Sequence, residues 1–360
     1  MAQIKIECGL NYGTPYAPEM QQGGERSGPI WSTLRDQVRE AEANGYDAVV
    51  AAEVQHDAYL ALAIAAQEPS KLELVTGIAL AFTRSPVSTA YTAWDLQRMS
   101  GGRFVLGLGS QVKGHVMRRF SMPWSKPAQR MKDYVGAMRA CWNAWQTGGR
   151  IDYRSEHYNV SLMTPNFSPP PQEHPKIPVA IAAVQERMLQ VAGEVCDGVR
   201  LHGIVTRKYL DRIAFPNLKK GFAKSGRPAS EWENFQISGG GFLCTGKDRD
   251  SLARAIEGIK STIAFYGSTR SYRSSFELDG WADTAEQLHR LSVQQKWREM
   301  PKLVTEDMVN AFAAVGTYEE IASVMKKRFG GVNRMGFNIP IRDEHDRGVL
   351  REILQDLRRQ

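Results

Sequence analysis

The chain has 360 residues, with 46 lysines and arginines against 39 aspartates and glutamates, for a formal net charge of +7 at pH 7. Hydrophobic residues make up 42 % and charged residues 24 % of it, the balance of a soluble globular protein, and no apolar run approaches the length that spans a bilayer. The four cysteines (Cys8, Cys141, Cys196, Cys244) are far apart and form no CxxC, and the histidines show no HxH or HExxH spacing. This argues against a disulfide framework and predicts no metal site. Basic clusters such as Lys219-Lys220 and Lys326-Lys327-Arg328 fall at helix ends without interleaved aromatics, so no nucleic-acid partner and no membrane partner is expected. With no basic-then-apolar leader at the N-terminus, the expected location is cytoplasmic. The basic balance is compatible with a polyanionic cofactor.

In chain order, strand-like and helix-like segments alternate. A short strand over 4–10 is followed by Leu34, Val38 and Ala41 at helical spacing, with Gly45 where a helix-ending glycine stands. A second strand covers 46–53, an Ala/Leu helix 59–66, and a third strand 72–82. Pro86 opens a helix whose apolar positions are Tyr91, Trp94, Leu96 and Met99. The stretch Ser100-Gly101-Gly102-Arg103 then turns the chain into a fourth strand, 104–109, that closes on Gly107 and Gly109. A long amphipathic helix carries Met131, Tyr134, Met138, Trp142 and Trp145 on one stripe, a core pattern.

Residues 148–175, rich in Pro, Asn, Ser and His, break the rhythm and read as an insertion over a barrel mouth. Alternation resumes with a strand at 177–183, a helix at 186–196 and a strand at 198–202. A helix near 208–224, a strand near 236–244 and a helix over 248–265 come next. A polar, mainly helical excursion occupies 267–313, followed by a helix at 318–329, a last strand at 336–341 and a closing helix at 349–357. Alternation without a boundary predicts a (β/α)8 TIM barrel: one domain over 1–360, with insertions near 148–175 and 267–313.

Two motifs carry a family resemblance: Ser100-Gly101-Gly102-Arg103-Phe104-Val105-Leu106-Gly107-Leu108-Gly109 and Ala192-Gly193-Glu194-Val195-Cys196-Asp197-Gly198. They accompany Gly45-Tyr46-Asp47-Ala48-Val49 and Thr76-Gly77-Ile78-Ala79-Leu80. The chain resembles the bacterial luciferase-like superfamily of barrel oxidoreductases, and within it the branch that uses the deazaflavin coenzyme F420, with FMN as the alternative cofactor. The resemblance implies a homodimer. It also implies a non-prolyl cis peptide in the third strand at Gly77–Ile78, backing the cofactor ring.

The candidate residues lie at the strand tips, where barrels of this class place their sites. Gly77, Ile78, Gly109, Ser110 and Gln111 are candidates for the ring. Ala182, Ala183 and Val184, before a helix N-terminus, are candidates for a cofactor phosphate, the alternative being ordinary helix entry. His202 faces the same mouth and is a further cofactor-binding candidate. Glu53 and His56 are the catalytic candidates, because hydride transfer needs a group that gives or takes the substrate proton, and a nearby carboxylate can orient a histidine. Close relatives often place the histidine immediately after the acid, whereas here Val54 occupies that place and the histidine comes two residues later. His115, Trp124 and Tyr158 are candidates for the substrate pocket, with packing under the loops as the other reading. The expected function is hydride transfer between F420 and a small organic substrate. The alternatives are a monooxygenase using reduced FMN and a flavin-binding barrel without turnover.

Overall fold

The computed structural model describes residues 4–12, 31–239 and 241–359. Eight parallel strands close on themselves: β1 (Lys5–Gly9), β2 (Ala48–Ala51), β3 (Glu73–Thr76), β4 (Phe104–Gly109), β5 (Val179–Ala183), β6 (Gly198–Leu201), β7 (Gln236–Ser238) and β8 (Arg334–Gly336). Closure is made by β8 on β1, with Lys5 opposite Arg334 and Glu7 opposite Gly336. The chain is a (β/α)8 barrel, and its helices cover the outer face of the strands. Covered on both sides, β4 (Phe-Val-Leu-Gly-Leu-Gly) is buried along its whole length, which is why it reads as a continuous apolar run. Trp94, Tyr134 and Trp145 fill the layer between strands and helices, as their spacing predicts.

The two motifs of the resemblance are joints on the N-terminal face of the barrel. Gly101 (φ 60°) and Gly102 (φ 87°) take left-handed conformations that turn the helix Pro86–Met99 into β4. Arg103 then donates to the carbonyls of Ser100 (2.8 Å) and Leu72 (3.0 Å). In the second joint, a Cβ on Gly193 would lie 2.1 Å from the Leu218 carbonyl, so the helix Glu186–Val195 packs backbone to backbone against Phe215–Lys224. Asp197 accepts from the Val179 amide (2.9 Å) and from Arg139 (2.8 Å).

The third strand is interrupted. Beyond β3 the Gly77–Ile78 peptide is cis, and pairing with β4 resumes at Ala79–Leu80. The segment expected as one strand over 236–244 is divided: β7 ends at Ser238, and Gly239 (φ 99°) and Gly241 (φ 150°) redirect the chain, residue 240 lying outside the described residues. Phe242–Gly246 pairs instead with Ala313–Thr317 in a separate parallel pair. Together with the helices between them, these strands enclose a second apolar cluster that includes Leu252, Ile263, Phe276, Leu288 and Phe312. The last barrel strand stands at Arg334–Gly336 and not at 336–341, because Arg334 points into the barrel, where an ion-pair network receives it.

That network fills the barrel's interior. Glu7, 3 % exposed, accepts from Arg200 Nη2 (2.7 Å) and from Arg334 Nε (2.6 Å), and Arg334, 2 % exposed, also pairs with Glu73 (2.6 Å). Burial alone would raise the Glu7 carboxyl, but the two guanidinium groups outweigh it and hold it down at about 2. Gly107 makes room for this arrangement: a Cβ there would stand 2.8 Å from Arg200 Cδ and 2.0 Å from the Thr76 carbonyl.

Candidate active site

The C-terminal ends of the strands open into a cavity of about 1980 Å³. Its floor is the upper surface of the charged network, with Glu7 and Arg200 among its lining residues, and on one side the cis Gly77–Ile78 bulge. Gly77 and Gly109 leave room for that bulge. A Cβ on Gly77 would stand 2.3 Å from Val50 Cγ1 and 3.2 Å from Arg200 Nη2, and one on Gly109 would stand 2.6 Å from Ile78 Cδ1. Gly9 and Gly336, at the tips of β1 and β8, have nothing within 4 Å of where a Cβ would be, so the wall there is bare backbone.

Glu53 sits beside the bulge. Its amide donates to the Ile78 carbonyl (3.1 Å), and its carboxylate accepts from the Leu80 amide (2.8 Å) and from Arg84 Nη1 (2.9 Å). Arg84 Nη2 pairs with the other Glu53 oxygen (2.9 Å) and with Asp57 (2.7 Å). Asp57 also caps the helix Ala58–Ala66 by accepting from the Tyr59 amide (2.7 Å). The Glu53 carboxylate therefore holds the bulge and Arg84, and the expected orientation of His56 by this acid is not what the structure shows. His56 lines the cavity with its ring edge-on to Trp31 (5.6 Å between centroids, 74°), and Trp31 in turn meets Tyr12 (5.5 Å). Arg119 donates to the Val54 carbonyl (2.7 Å), fixing the loop that carries both residues.

Ser110, Gln111, Ala182, Ala183, Val184 and His202 all line the cavity. Gln111 takes a left-handed conformation (φ 58°), and its side-chain oxygen accepts from the Val112 amide (2.8 Å). After Ala182-Ala183-Val184, Gln185 begins the helix Glu186–Val195 without a side-chain cap, which leaves the first-turn amides free of a side-chain partner. Trp124 lines the cavity and packs edge-on to Phe82 (6.1 Å, 72°). Tyr158 lies elsewhere: its hydroxyl accepts from Arg130 Nε (2.8 Å) and its ring meets Tyr134 edge-on (5.6 Å). His115 is an exposed residue of the helix Lys113–Arg118; partial burial, Arg119 and Arg118 push its pKa down. Neither Tyr158 nor His115 is among the lining residues.

Sequence reasoning passed over Glu7, Arg200 and Arg334. The signal was present: Glu7, Arg200 and Arg334 each stand in a short strand among apolar neighbours (Ile-Glu-Cys, Gly-Val-Arg-Leu and Arg-Met-Gly), and they meet only when the barrel closes. It also passed over a cationic stretch of rim. Lys113, Arg187 and Lys224 line the cavity and make no ion pair among the described residues, whereas Lys126 pairs with Glu156 (3.0 Å) and Lys132 with Glu194 (2.7 Å). Glu186 is the one acid lining the cavity that is likewise unpaired among the described residues.

A closed parallel barrel with a wide mouth, a backbone-lined floor and titratable groups at its strand tips belongs to the class of barrels that bind small molecules at the C-terminal face. More particularly, residues 14–332 match the luciferase-like monooxygenase family, and the chain belongs to it. It is 43 % identical over 319 residues to an uncharacterized protein of Mycobacterium tuberculosis, a match covering 88 % of this chain and 92 % of that one. It is 24 % identical over 356 residues to a 5,10-methylenetetrahydromethanopterin reductase of Archaeoglobus fulgidus, covering 97 % and 100 %. Among solved structures, the coenzyme F420 dependent tetrahydromethanopterin reductase of Methanopyrus kandleri superposes with a TM-score of 0.74 at 21 % identity, over 99 % of each chain.

Proposed function

We propose that this protein is an F420-dependent oxidoreductase that transfers a hydride between the deazaflavin and a small organic substrate, the whole chain acting as one luciferase-like barrel domain. The observation that carries the choice of cofactor is the set of unpaired cations at the cavity, Lys113, Arg187 and Lys224. F420 bears a phosphodiester and a carboxylate-rich tail, a longer anion than the single phosphate of FMN. The residues present suit such a molecule: the bare-backbone wall at Gly9 and Gly336 admits a flat ring, and the uncapped amides after Gln185 suit a phosphate. The fold shared with the coenzyme F420 dependent reductase of Methanopyrus kandleri supports the same reading.

When bound, the deazaflavin supplies the hydride chemistry. Ile78 and Gly77 form the backing surface, held by Glu53 and Arg84. Ala182, Ala183 and Val184 position the phosphate end, while Ser110 and Gln111 border the ring. His56, at the cavity wall and outside the Glu53–Arg84 pair, gives or takes the substrate proton at its imidazole. Exchanging His56 for alanine is expected to lower turnover about 10²- to 10⁴-fold while leaving cofactor affinity unchanged, as steady-state kinetics and a binding titration together will show.

Titration of the purified protein with F420 and with FMN tests the reading. A deazaflavin Kd at or below about 1 µM, roughly −8 kcal/mol, with much weaker FMN binding is expected. Tight FMN binding without deazaflavin binding would instead establish the monooxygenase alternative. Tight binding of either without turnover, insensitive to His56→Ala and Glu53→Ala, would establish the non-catalytic one. The same reading carries a cytoplasmic homodimer, whose assembly light scattering checks. Among the described residues no helix is long and apolar enough to cross a membrane.

A further inference from the structure

His202 follows β6 and stands where the excursion between β7 and β8 folds back over the barrel mouth. Its ring stacks on Tyr272 (4.4 Å between centroids, 26°) and meets Tyr266 edge-on (4.3 Å, 73°). Tyr266 in turn stacks on Phe242 (5.9 Å, 24°), and Phe242 presses so closely on the chain after β6 that a Cβ on Gly203 would stand 2.5 Å from its ring. Gln185 Nε2 donates to the Ser271 carbonyl (2.8 Å), tying this part of the excursion to the tip of β5. His202, Tyr266, Ser271 and Tyr272 all line the cavity.

The protonation state of His202 follows from its hydrogen bond. Ile204 donates its backbone N–H to Nδ1 (3.0 Å). A backbone amide can only donate, so Nδ1 carries a lone pair and the proton of the neutral ring is on Nε2. An imidazolium would have N–H groups on both nitrogens and would lose this bond. Burial acts in the same direction, pushing the pKa down to about 4, so the ring is neutral near pH 7. His202 is thus a fixed, uncharged donor set among aromatic rings. It is unsuited to carry protons at neutral pH.

We propose that His202, Tyr266 and Tyr272 form the substrate subsite and select a carbonyl or hydroxyl oxygen on an uncharged, largely apolar molecule, which accepts a hydrogen bond from His202 Nε2. This rests on the functional reading above and names its substrate class. A carboxylate placed here would exchange its water for neutral donors and for aromatic faces of negative potential, with no cation in the box, a poor return for desolvating an ion. An uncharged acceptor oxygen surrenders less hydration and suits the neutral His202 Nε2 donor. The rim cations Lys113, Arg187 and Lys224 remain available to the anionic part of the cofactor.

The test uses acetophenone and benzoate, which have nearly the same shape and differ in charge, with the protein labelled with ¹⁵N at histidine and the His202 signals assigned by their loss in His202→Phe. The expected spectrum at neutral pH is that of the Nε2–H tautomer, with acetophenone shifting the Nε2 signal saturably and benzoate leaving it in place. His202→Phe is expected to weaken acetophenone binding at least tenfold while deazaflavin affinity stays within twofold. His202→Asn, which keeps both an acceptor and a donor, is expected to retain acetophenone binding within about threefold. An Nδ1–H or doubly protonated ring, equal shifts from the two probes, or a parallel loss of deazaflavin affinity in His202→Phe would overturn the proposal. Failure of the functional reading shows differently: no deazaflavin would bind to the unmodified protein, while the acetophenone shift persisted.

Discussion

Replacing Glu7 with glutamine is expected to destabilise the protein by about 3–5 kcal/mol, measured by chemical denaturation. Glu7 stands between two guanidinium groups inside the barrel, Arg200 at 2.7 Å and Arg334 at 2.6 Å, with Arg334 only 2 % exposed. Glutamine keeps the shape and removes the charge, so two buried cations lose their shared counter-ion and only Glu73 remains beside Arg334. The same pair sets a pH dependence. The Glu7 pKa is lowered from 4.5 to about 2, so its contribution is complete above 4.5 and disappears as the pH falls towards 2. In Glu7→Gln that part of the acid sensitivity should be missing, and the stability curves of variant and parent should converge as acid is added. A loss below about 1 kcal/mol at neutral pH would show that water, and not the carboxylate, balances the arginines.

Gly77→Ala is expected to cost deazaflavin affinity about 10- to 100-fold together with about 1–3 kcal/mol of stability. The new methyl would stand 2.3 Å from Val50 Cγ1, a β-branched side chain stiff at χ1, and 3.2 Å from Arg200 Nη2. Relief comes from moving the Gly77–Ile78 peptide outwards, into the space the ring is proposed to occupy. Gly258→Ala is the control: nothing lies within 4 Å of its Cβ position, and it is exposed on the helix Arg249–Gly267 away from the cavity, so deazaflavin affinity should not change and stability should rise by about 0.5–1 kcal/mol. Calorimetry and fluorescence titration on the two variants separate these effects. Equal deazaflavin affinities for both would show that the bulge does not back the ring.

The barrel was legible because its signals are local. Helix caps at Asp57 and Ser85, a proline at the start of Pro86–Met99 and left-handed glycines at Gly45, Gly101 and Gly102 each act within a few residues of chain. The motifs that carry the family resemblance are of this kind too. They sit at joints on the N-terminal face, where Gly193 lets two helices touch and Asp197 ties β5, so they speak for the fold and say little about the chemistry at the opposite face.

What escaped depends on closure. Glu7 is 193 residues from Arg200 and 327 from Arg334, and a charge in a short strand reads as a strand end until its partners are known. That is why the last strand was expected two residues late. The division of the 236–244 segment has a similar origin, since Phe242–Gly246 finds its partner at Ala313–Thr317, across the whole excursion. At the site, proximity in sequence suggested a Glu53–His56 pair, but Arg84, 31 residues on, takes the carboxylate. Leu201-His202 was readable as a strand tip, but the rings around it come from the excursion and no local pattern announces them.

A crystal structure of the protein with bound deazaflavin tests the account most directly. The ring should lie against the Gly77–Ile78 peptide, with its phosphate near the amides that follow Gln185 and its acidic tail beside Lys113, Arg187 and Lys224. A ring found away from the β3 bulge, or a ligand seated anywhere but the C-terminal mouth of the barrel, would contradict it.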